Sequence, residues 1–201
     1  MRIHGTFSIL AISPDFKLMG VAVASGSIAV GSRVPHAKPG VGVIATQAYT
    51  NVDYGISGLK LLSKGLTPNE ALNKLLAEDY ERNFRQVAIM DFKGRKAVFT
   101  GVYAPEFHGE VIDDYFIVIG NLLANENVVK SIAEKFKETK GSLAFRMAYA
   151  LKAGSESGGD KRGERSAALI LVGLKDVKLK IRIDRHKAPI EELIRKIKEK
   201  I

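Results

Sequence analysis

The sequence has no cysteine and no tryptophan, and glutamine occurs only at Gln47 and Gln86. The absence of cysteine excludes disulfide bonds, thiolate metal sites and a cysteine nucleophile. No apolar run approaches the ~18 residues of a membrane span, and residues 1–5 do not resemble a signal peptide. We therefore expect a cytoplasmic protein with no membrane partner. Few glutamines beside many lysines and glutamates are typical of a thermophile.

The composition is that of an ordinary globular protein, with 46% hydrophobic and 26% charged residues. A chain of 201 residues suits one domain, residues 1–201. The 31 basic and 22 acidic residues give a net charge of +9, which allows a nucleic acid or a small anion as partner. Because the lysines are concentrated in turns and on a C-terminal helix with its own apolar stripe, we expect no nucleic-acid partner.

The apolar pattern predicts hairpins of strands with pairs of helices between them. Strands are predicted at residues 6–12, 18–24, 40–48, 85–92, 95–100, 115–120, 166–173 and 177–183, and helices at 54–63, 125–137, 143–152 and from 188 onward. A further helix begins after the capping box Thr67-Pro68-Asn69-Glu70. Residues 25–40 are predicted as a long loop. This order indicates the α+β class with antiparallel sheets, and not a βαβ nucleotide-binding sheet.

Motifs for phosphate and metal binding are missing. Gly40-Val41-Gly42 is not followed by a helix with a third glycine in place, so it is no dinucleotide fingerprint. The four histidines form no pair at helical or hairpin spacing. We expect neither a metal site nor a cofactor.

Three polar segments lack helical periodicity and are candidates for function. They are Gly5-Thr6, residues 32–36 with 45–51, and residues 157–166. The last segment is rich in glycine and charge and leads directly into a buried strand. Such a loop offers backbone N–H groups and cations to an anion, although a flexible basic loop is the alternative interpretation.

Several motifs together resemble one family, the domain of unknown function DUF1028, which is similar to the Ntn hydrolases. These motifs are TFSILA, GVAVAS, VGSRVPHAKPGVGVIATQAYTN, YGISGLKLL, RQVAIMD, IGNLLAN and GGDKRGERSAAL. The resemblance extends from Thr6 to the final hairpin, nearly the whole chain. It implies a four-layer αββα sandwich, in which two antiparallel sheets lie between helical layers.

The resemblance also implies a nucleophile. In Ntn hydrolases the first residue of the mature first strand attacks the substrate, and its own α-amino group is the general base. Here that residue is Thr6. An α-amino group has a pKa near ~7.7–8.0, so much of it is neutral at physiological pH. Five residues precede Thr6, so either the Gly5-Thr6 bond is cleaved, as in proteasome-like members, or Thr6 only opens a strand.

The same resemblance assigns supporting catalytic roles. Ser25 ends the second strand, where members place a polar partner of the nucleophile. Arg33 lies where proteasome-like members carry a lysine that lowers the pKa of the nucleophile, although arginine does not deprotonate. Thr46, Gln47 and Asn51 follow or end the third strand and are expected to supply an oxyanion hole.

Substrate binding is expected from a second group of residues. By resemblance, Asp160, Lys161 and Arg162 bind the charged end of a substrate, and Thr46 and His36 line the same pocket. The alternative for His36 is a histidine that caps a turn.

Two functions are compatible with these residues. The first is an Ntn-type amide or peptide hydrolase that acts on a small anionic substrate. The second is a non-catalytic small-molecule-binding protein of the same fold, whose N-terminus stays uncleaved. In either case we expect a homodimer, the commonest closed symmetry.

Overall fold

Two antiparallel sheets lie face to face in the computed structural model, which describes residues 5–201. The six-stranded sheet has the order β10 (Val177–Ile183), β9 (Ser166–Gly173), β2 (Leu18–Ser25), β1 (Thr6–Ile12), β8 (Phe116–Asn121), β7 (Gly109–Ile112). The four-stranded sheet has the order β3 (Pro35–Lys38), β4 (Gly42–Ala48), β5 (Arg85–Asp91), β6 (Lys96–Thr100). The first four residues, on which the expectation of no signal peptide depends, lie outside this description.

Helices cover the outer face of each sheet. The pair α1 (Asp53–Ser63) and α2 (Pro68–Ala77) packs on the four-stranded sheet. The helices α3 (Asn127–Glu138), α4 (Leu143–Glu156) and α5 (Pro189–Lys198) pack on the six-stranded sheet. Three separate apolar clusters fill the spaces between the four layers. The predicted αββα sandwich of the α+β class is confirmed.

Strand β1 shows why its sequence is apolar almost throughout. Phe7 and Ile9 point into the cluster under α3 and α4. Leu10 and Ile12 point into the cluster between the sheets. Because successive side chains of a strand face opposite sides, a strand that is covered on both faces needs apolar residues at both parities.

Two short edge strands differ from the prediction. Residues 25–40, predicted as one loop, contain the 3-10 turn Val30–Ser32 and strand β3. Strand β7 is likewise not predicted by the apolar pattern. Both have four residues and lie at a sheet edge. Edge strands tolerate proline and charged side chains, so their sequences look like loops.

The predicted capping box starts α2. The hydroxyl of Thr67 accepts from the backbone N–H of Glu70 at 3.3 Å, and the Glu70 carboxylate accepts from the N–H of Thr67 at 2.7 Å. We expect Thr67→Ala to lower the free energy of unfolding by about 1 kcal/mol. Urea denaturation measures this loss. Thr67→Ser is the control that keeps the cap, and an unchanged midpoint in Thr67→Ala contradicts the prediction.

Candidate functional site

Polar side chains end the core between the two sheets at one end of the sandwich. In the six-stranded sheet, two-residue steps from Leu10, Val23 and Ile119 lead to polar residues on the same face. The four-stranded sheet repeats the pattern on β4 and β5. The buried polar residues reached in this way are Thr6, Ser8, Ser25, Gln47, Gln86, Asn121 and Ser166, each 0% exposed.

The strand register places these residues together although they are distant in the sequence. Thr6 lies opposite Asn121 on β1 and β8. Ser25 lies opposite Ser166 on β2 and β9. Gln47 lies opposite Gln86, the other glutamine of the sequence, on β4 and β5. This end of the sandwich is therefore a buried polar layer built from both sheets.

The carbonyl oxygen of Gly5, directly before β1, is the centre of this layer. It accepts hydrogen bonds from Ser25 Oγ at 2.5 Å, Thr6 Oγ1 at 2.6 Å and Arg162 Nη2 at 3.2 Å. The two hydroxyl oxygens are 3.3 Å apart. The predicted nucleophile, its predicted partner and a predicted substrate-binding cation thus meet on the peptide bond that precedes Thr6.

Asp160 orients Arg162 toward this carbonyl. Its buried carboxylate accepts from Arg162 Nη2 at 2.7 Å and Nε at 2.9 Å, and from the N–H of Gly26 at 2.7 Å. A Cβ at Gly5 would lie only 2.6 Å from Asp160 Oδ2, so the carboxylate packs directly on the backbone before Thr6. The structure therefore pairs the Asp160 carboxylate with Arg162 of the same loop, whereas the sequence predicts that Asp160 binds the substrate.

Glu164 holds the loop that carries this ion pair. Its carboxylate accepts from the N–H of Asp160 at 2.9 Å and from the hydroxyl of Ser155 on α4 at 2.8 Å. Gly159 adopts a φ of 56°, in the left-handed region that favours glycine. These contacts fix the Gly-rich segment against the end of α4, so the loop has a defined conformation.

An amide network lies beneath Thr6. Gln47 Nε2 donates to the carbonyl of Thr6 at 3.1 Å and to Gln86 Oε1 at 2.8 Å, and Ser8 Oγ donates to Gln47 Oε1 at 2.6 Å. Asn121 Nδ2 donates to Gln86 Oε1 at 3.2 Å. Gln47 thus fixes the backbone of the candidate nucleophile, and Gln86 joins the network across both sheets.

We expect Gln86→Leu to destabilise the fold. It removes the oxygen that accepts from Gln47 and Asn121 and leaves two buried donors short of a partner, at about 1–3 kcal/mol per group. Guanidinium denaturation measures the loss. Thr100→Val is the control, because it keeps Gln86 Oε1 and removes a hydroxyl that accepts from Gln86 Nε2 at 3.1 Å and donates to the Glu110 carboxylate at 3.2 Å. Equal losses in both variants contradict the importance of the network.

Arg33 is a half-buried cation at the same end of the sandwich. Its Nη1 donates to the carbonyls of Ile28 at 2.9 Å and Ala29 at 3.2 Å. Its Nε and Nη2 are buried and have no hydrogen-bond partner among residues 5–201. Burial, and secondly the charge of Arg162, lower the pKa of Arg33. Two donors of Arg33 thus lack a partner among residues 5–201, and Arg162 lies within electrostatic reach.

The structure does not bring Thr46 and Asn51 into the Thr6 cluster, the group formed by Gly5, Thr6, Ser25, Asp160 and Arg162. Thr46 alternates with Gln47 and so faces the helical layer of α1 and α2, where its hydroxyl donates to the carbonyl of Asn51 at 2.9 Å. The side chain of Asn51 accepts from the N–H of Asp53 at 3.0 Å. In the structure these two residues shape the connection from β4 to α1.

His36 and Lys161 also lie apart from the Thr6 cluster. The ring of His36 packs on Gly55 of α1, and its Nε2 lies 3.1 Å from the carbonyl oxygen of Arg33. Burial lowers the pKa of His36, and the charge of Lys180 lowers it further, against the opposing effect of the Arg33 carbonyl. Lys161 is exposed and is held through its backbone N–H, which donates to the carbonyl of Leu122 at 3.0 Å.

Sequence reasoning names neither Gln86 nor Asn121 as a site residue, and it includes Glu164 only as a member of the polar segment 157–166. A signal for the first two exists: each lies two residues from an apolar residue of the inter-sheet cluster, Ala88 and Ile119. For Glu164 only its place in the Gly-rich segment is visible. Within residues 5–201, no group of three or more His, Asp or Glu side chains is arranged to hold a metal ion. No helix in this part of the chain is long and apolar enough to cross a membrane.

A four-layer sandwich of two antiparallel sheets between helical layers is the fold of the Ntn-hydrolase-like class. A solved structure of this class, the Anbu (Gly-1) mutant from Hyphomicrobium sp. strain MC1, superposes with a TM-score of 0.50 over 97% of this chain and 94% of that chain. At 14% identity the likeness concerns the fold alone.

Within that class, the chain belongs to the family of unknown function DUF1028, whose sequence model matches residues 6–193. Protein SPO2555 from Silicibacter pomeroyi, a DUF1028 structure, is 31% identical with a TM-score of 0.90. The match covers 97% of this chain and 88% of that chain. No curated protein matches the chain. The predicted family is thereby confirmed.

Proposed function

We propose that this protein is a self-processing amide hydrolase of the Ntn type, with Thr6 as its nucleophile and a small anionic substrate. The observation that carries the proposal is the contact between Thr6 Oγ1 and the Gly5 carbonyl oxygen at 2.6 Å. The same oxygen is held by Ser25 and Arg162. A hydroxyl, a carbonyl and two donors in contact are the parts that acyl transfer requires.

Processing breaks the peptide bond between Gly5 and Thr6. Thr6 Oγ1 adds to the carbonyl carbon of Gly5, and Ser25 and Arg162 stabilise the negative charge on the carbonyl oxygen. The C–N bond then breaks, the hydroxyl proton ends on the Thr6 nitrogen, and Gly5 is joined to Oγ1 as an ester. Water hydrolyses this ester, which yields a carboxylate on Gly5 and a free α-amine on Thr6.

The processed chain then hydrolyses amides with the same groups. The α-amine of Thr6 takes the proton from Oγ1, which attacks the amide carbonyl of the substrate. Departure of Gly5 frees Ser25 and Arg162 for the substrate oxygen. The leaving amine takes the proton, and water releases the acyl group from Thr6. Asp160 keeps Arg162 turned toward this oxygen throughout.

Intact-mass measurement and N-terminal sequencing test the proposal. Purified protein is incubated at neutral pH and sampled over days. We expect the loss of residues 1–5 and a new N-terminus at Thr6. A chain that keeps its full mass after prolonged incubation contradicts the N-terminal amine mechanism, whatever its affinity for ligands.

The second candidate is a non-catalytic binding protein with an uncleaved N-terminus. It is favoured by the complete burial of Thr6, which is 0% exposed and therefore closed to a substrate while residue 5 is in place. This candidate predicts a constant mass together with a ligand that raises the melting temperature by mass action. A thermal-shift screen of anionic metabolites provides the measurement. A homodimer stays a prediction in both cases, and sedimentation analysis tests it.

A further inference from the structure

One edge of the Arg33 guanidinium is buried without a partner. The Nη1 atom is occupied by the carbonyls of Ile28 and Ala29, whereas Nε and Nη2 have no partner among the described residues. These two nitrogens point their N–H groups in the same direction in one plane. That spacing matches the two oxygens of a carboxylate, so the edge can form two parallel charge-assisted hydrogen bonds.

The corresponding edge of other arginines in the chain binds carboxylates. In four of them, Nε and Nη2 both donate to the same carboxylate group, at 2.7–3.2 Å. The pairs are Arg85 with Asp79, Arg162 with Asp160, Arg182 with Asp184, and Arg195 with Glu192. Within residues 5–201, Arg33 is the arginine in which both nitrogens of this edge are buried and unpartnered.

Arg33 lies beside the Thr6 site. Its Nη1 holds the turn that follows Ser25, and Arg162, which contacts the Gly5 carbonyl, is near enough for its charge to act on Arg33. On the other side, the carbonyl of Val34 accepts from the N–H of Thr46, next to Gln47. The Arg33 guanidinium is therefore held on the turn that follows β2, in a segment whose backbone pairs with the end of β4.

The neighbouring cations are less suited to bind a carboxylate. The corresponding edge of Arg162 is filled by Asp160. Lys161 and Arg165 are exposed side chains of the surrounding loop, and an exposed cation contributes little fixed geometry. Arg33 thus combines partial burial, nearness to Thr6 and a free edge.

We propose that the Nε–Nη2 edge of Arg33 binds the carboxylate of the substrate, so that the enzyme acts on small amides that carry a free carboxylate, such as N-acyl amino acids. This inference rests on the proposed function, because only a hydrolase would have a substrate. The binding of a carboxylate to Arg33, in contrast, does not require hydrolysis. It replaces the role expected from the sequence, in which Arg33 acts on the nucleophile, by recognition of the ligand.

The test measures binding of N-acetylglycine to the full-length protein as purified. The probe is titrated while the ¹⁵N resonance of Arg33 Nε is followed by NMR, and N-acetylglycinamide is the neutral control. We expect the Arg33 resonance to shift with N-acetylglycine alone. Arg33→Lys keeps the charge but loses the paired N–H groups, and should weaken binding about 10- to 100-fold.

Arg182→Lys is the matched control, because Asp184 already occupies the edge of that arginine. It should bind N-acetylglycine like the unmodified chain. The proposal is overturned if Arg33→Lys binds as tightly as the unmodified chain, if the neutral amide binds equally well, or if inorganic phosphate binds more tightly than N-acetylglycine. Should Arg33→Lys not fold, an Arg33 resonance that N-acetylglycine leaves unmoved in the unmodified chain overturns it.

The outcome is separable from that of the proposed function. A chain that never loses residues 1–5 but binds N-acetylglycine through Arg33 refutes the hydrolase and supports the carboxylate site. A chain that is processed and hydrolyses amides with no dependence on Arg33 supports the hydrolase and refutes the carboxylate site.

Discussion

Thr6→Ala is expected to abolish processing, so that the variant keeps residues 1–5 indefinitely. The substitution removes Oγ1, the atom that lies 2.6 Å from the Gly5 carbonyl oxygen, and leaves Ser25 and Arg162 in place. These donors polarise the carbonyl but supply no attacking atom in the proposed reaction. Intact mass over several days measures the result, and release of amine from N-acetylglycine measures the accompanying loss of hydrolysis.

Two variants control for a general effect of substitution on β1. Thr6→Ser keeps a hydroxyl at the same position and is expected to be processed. Ser8→Ala removes the next hydroxyl on the same face, which donates to Gln47 and does not contact Gly5. Because Ser8 reaches Thr6 only through Gln47, processing should stay within a few-fold of the rate of the unmodified chain. If Thr6→Ala loses residues 1–5 at that rate, another nucleophile or a protease is responsible, and the mechanism is wrong.

The fold illustrates which information is local in a sequence. The hairpin of β1 and β2 follows from two apolar runs and the Pro-Asp turn between them, and α2 from its capping box, so both are predictable from neighbouring residues. The stacking of two sheets is not. Strand β9 is buried along its whole length, and such a run does not tell which layer covers each face. The four-layer arrangement is therefore predicted only through the family resemblance.

The site shows the same limit more sharply. Thr46 and Gln47 are neighbours in the sequence, and the sequence analysis expects both side chains in the pocket beside Thr6. Alternation along β4 sends Gln47 toward Thr6 and Thr46 toward the helices. A motif therefore identifies the segment, whereas strand geometry decides which residue of that segment takes part.

Long-range pairing explains the residues that sequence reasoning misses. Asn121 lies opposite Thr6 because β1 and β8 are neighbours, although 115 residues separate them. Gln86 lies opposite Gln47 for the same reason. Charge alone also groups Arg33 with Arg162, yet Asp160 occupies the Nε–Nη2 edge of Arg162, whereas the same edge of Arg33 has no partner among residues 5–201. Only the contacts distinguish a guanidinium whose paired edge holds a carboxylate of the chain from one whose paired edge does not.

Ser25→Ala is expected to slow processing by about 10²–10³-fold, the usual cost of losing one donor to a developing oxyanion. Ser25 Oγ makes the shortest contact with the Gly5 carbonyl oxygen, at 2.5 Å, whereas Arg162 lies at 3.2 Å. Arg162 remains in the variant, so cleavage should be slowed and not abolished. The time course of the full-length mass gives the rate directly.

Ser166→Ala is the matched control for this prediction. Ser166 lies directly across the ladder from Ser25, is equally buried, and its hydroxyl donates to the carbonyl of Ser27 and accepts from the N–H of Val30. The control likewise removes a serine Oγ from the buried polar layer, but one that does not contact Gly5. Processing of Ser166→Ala should therefore stay within a few-fold of the rate of the unmodified chain. If both variants are slowed equally, the effect arises from loosening of the polar layer. If only Ser25→Ala is slowed, the cause is a contact that Ser166 lacks, either with the Gly5 carbonyl oxygen or with Thr6 Oγ1, and both belong to the proposed reaction.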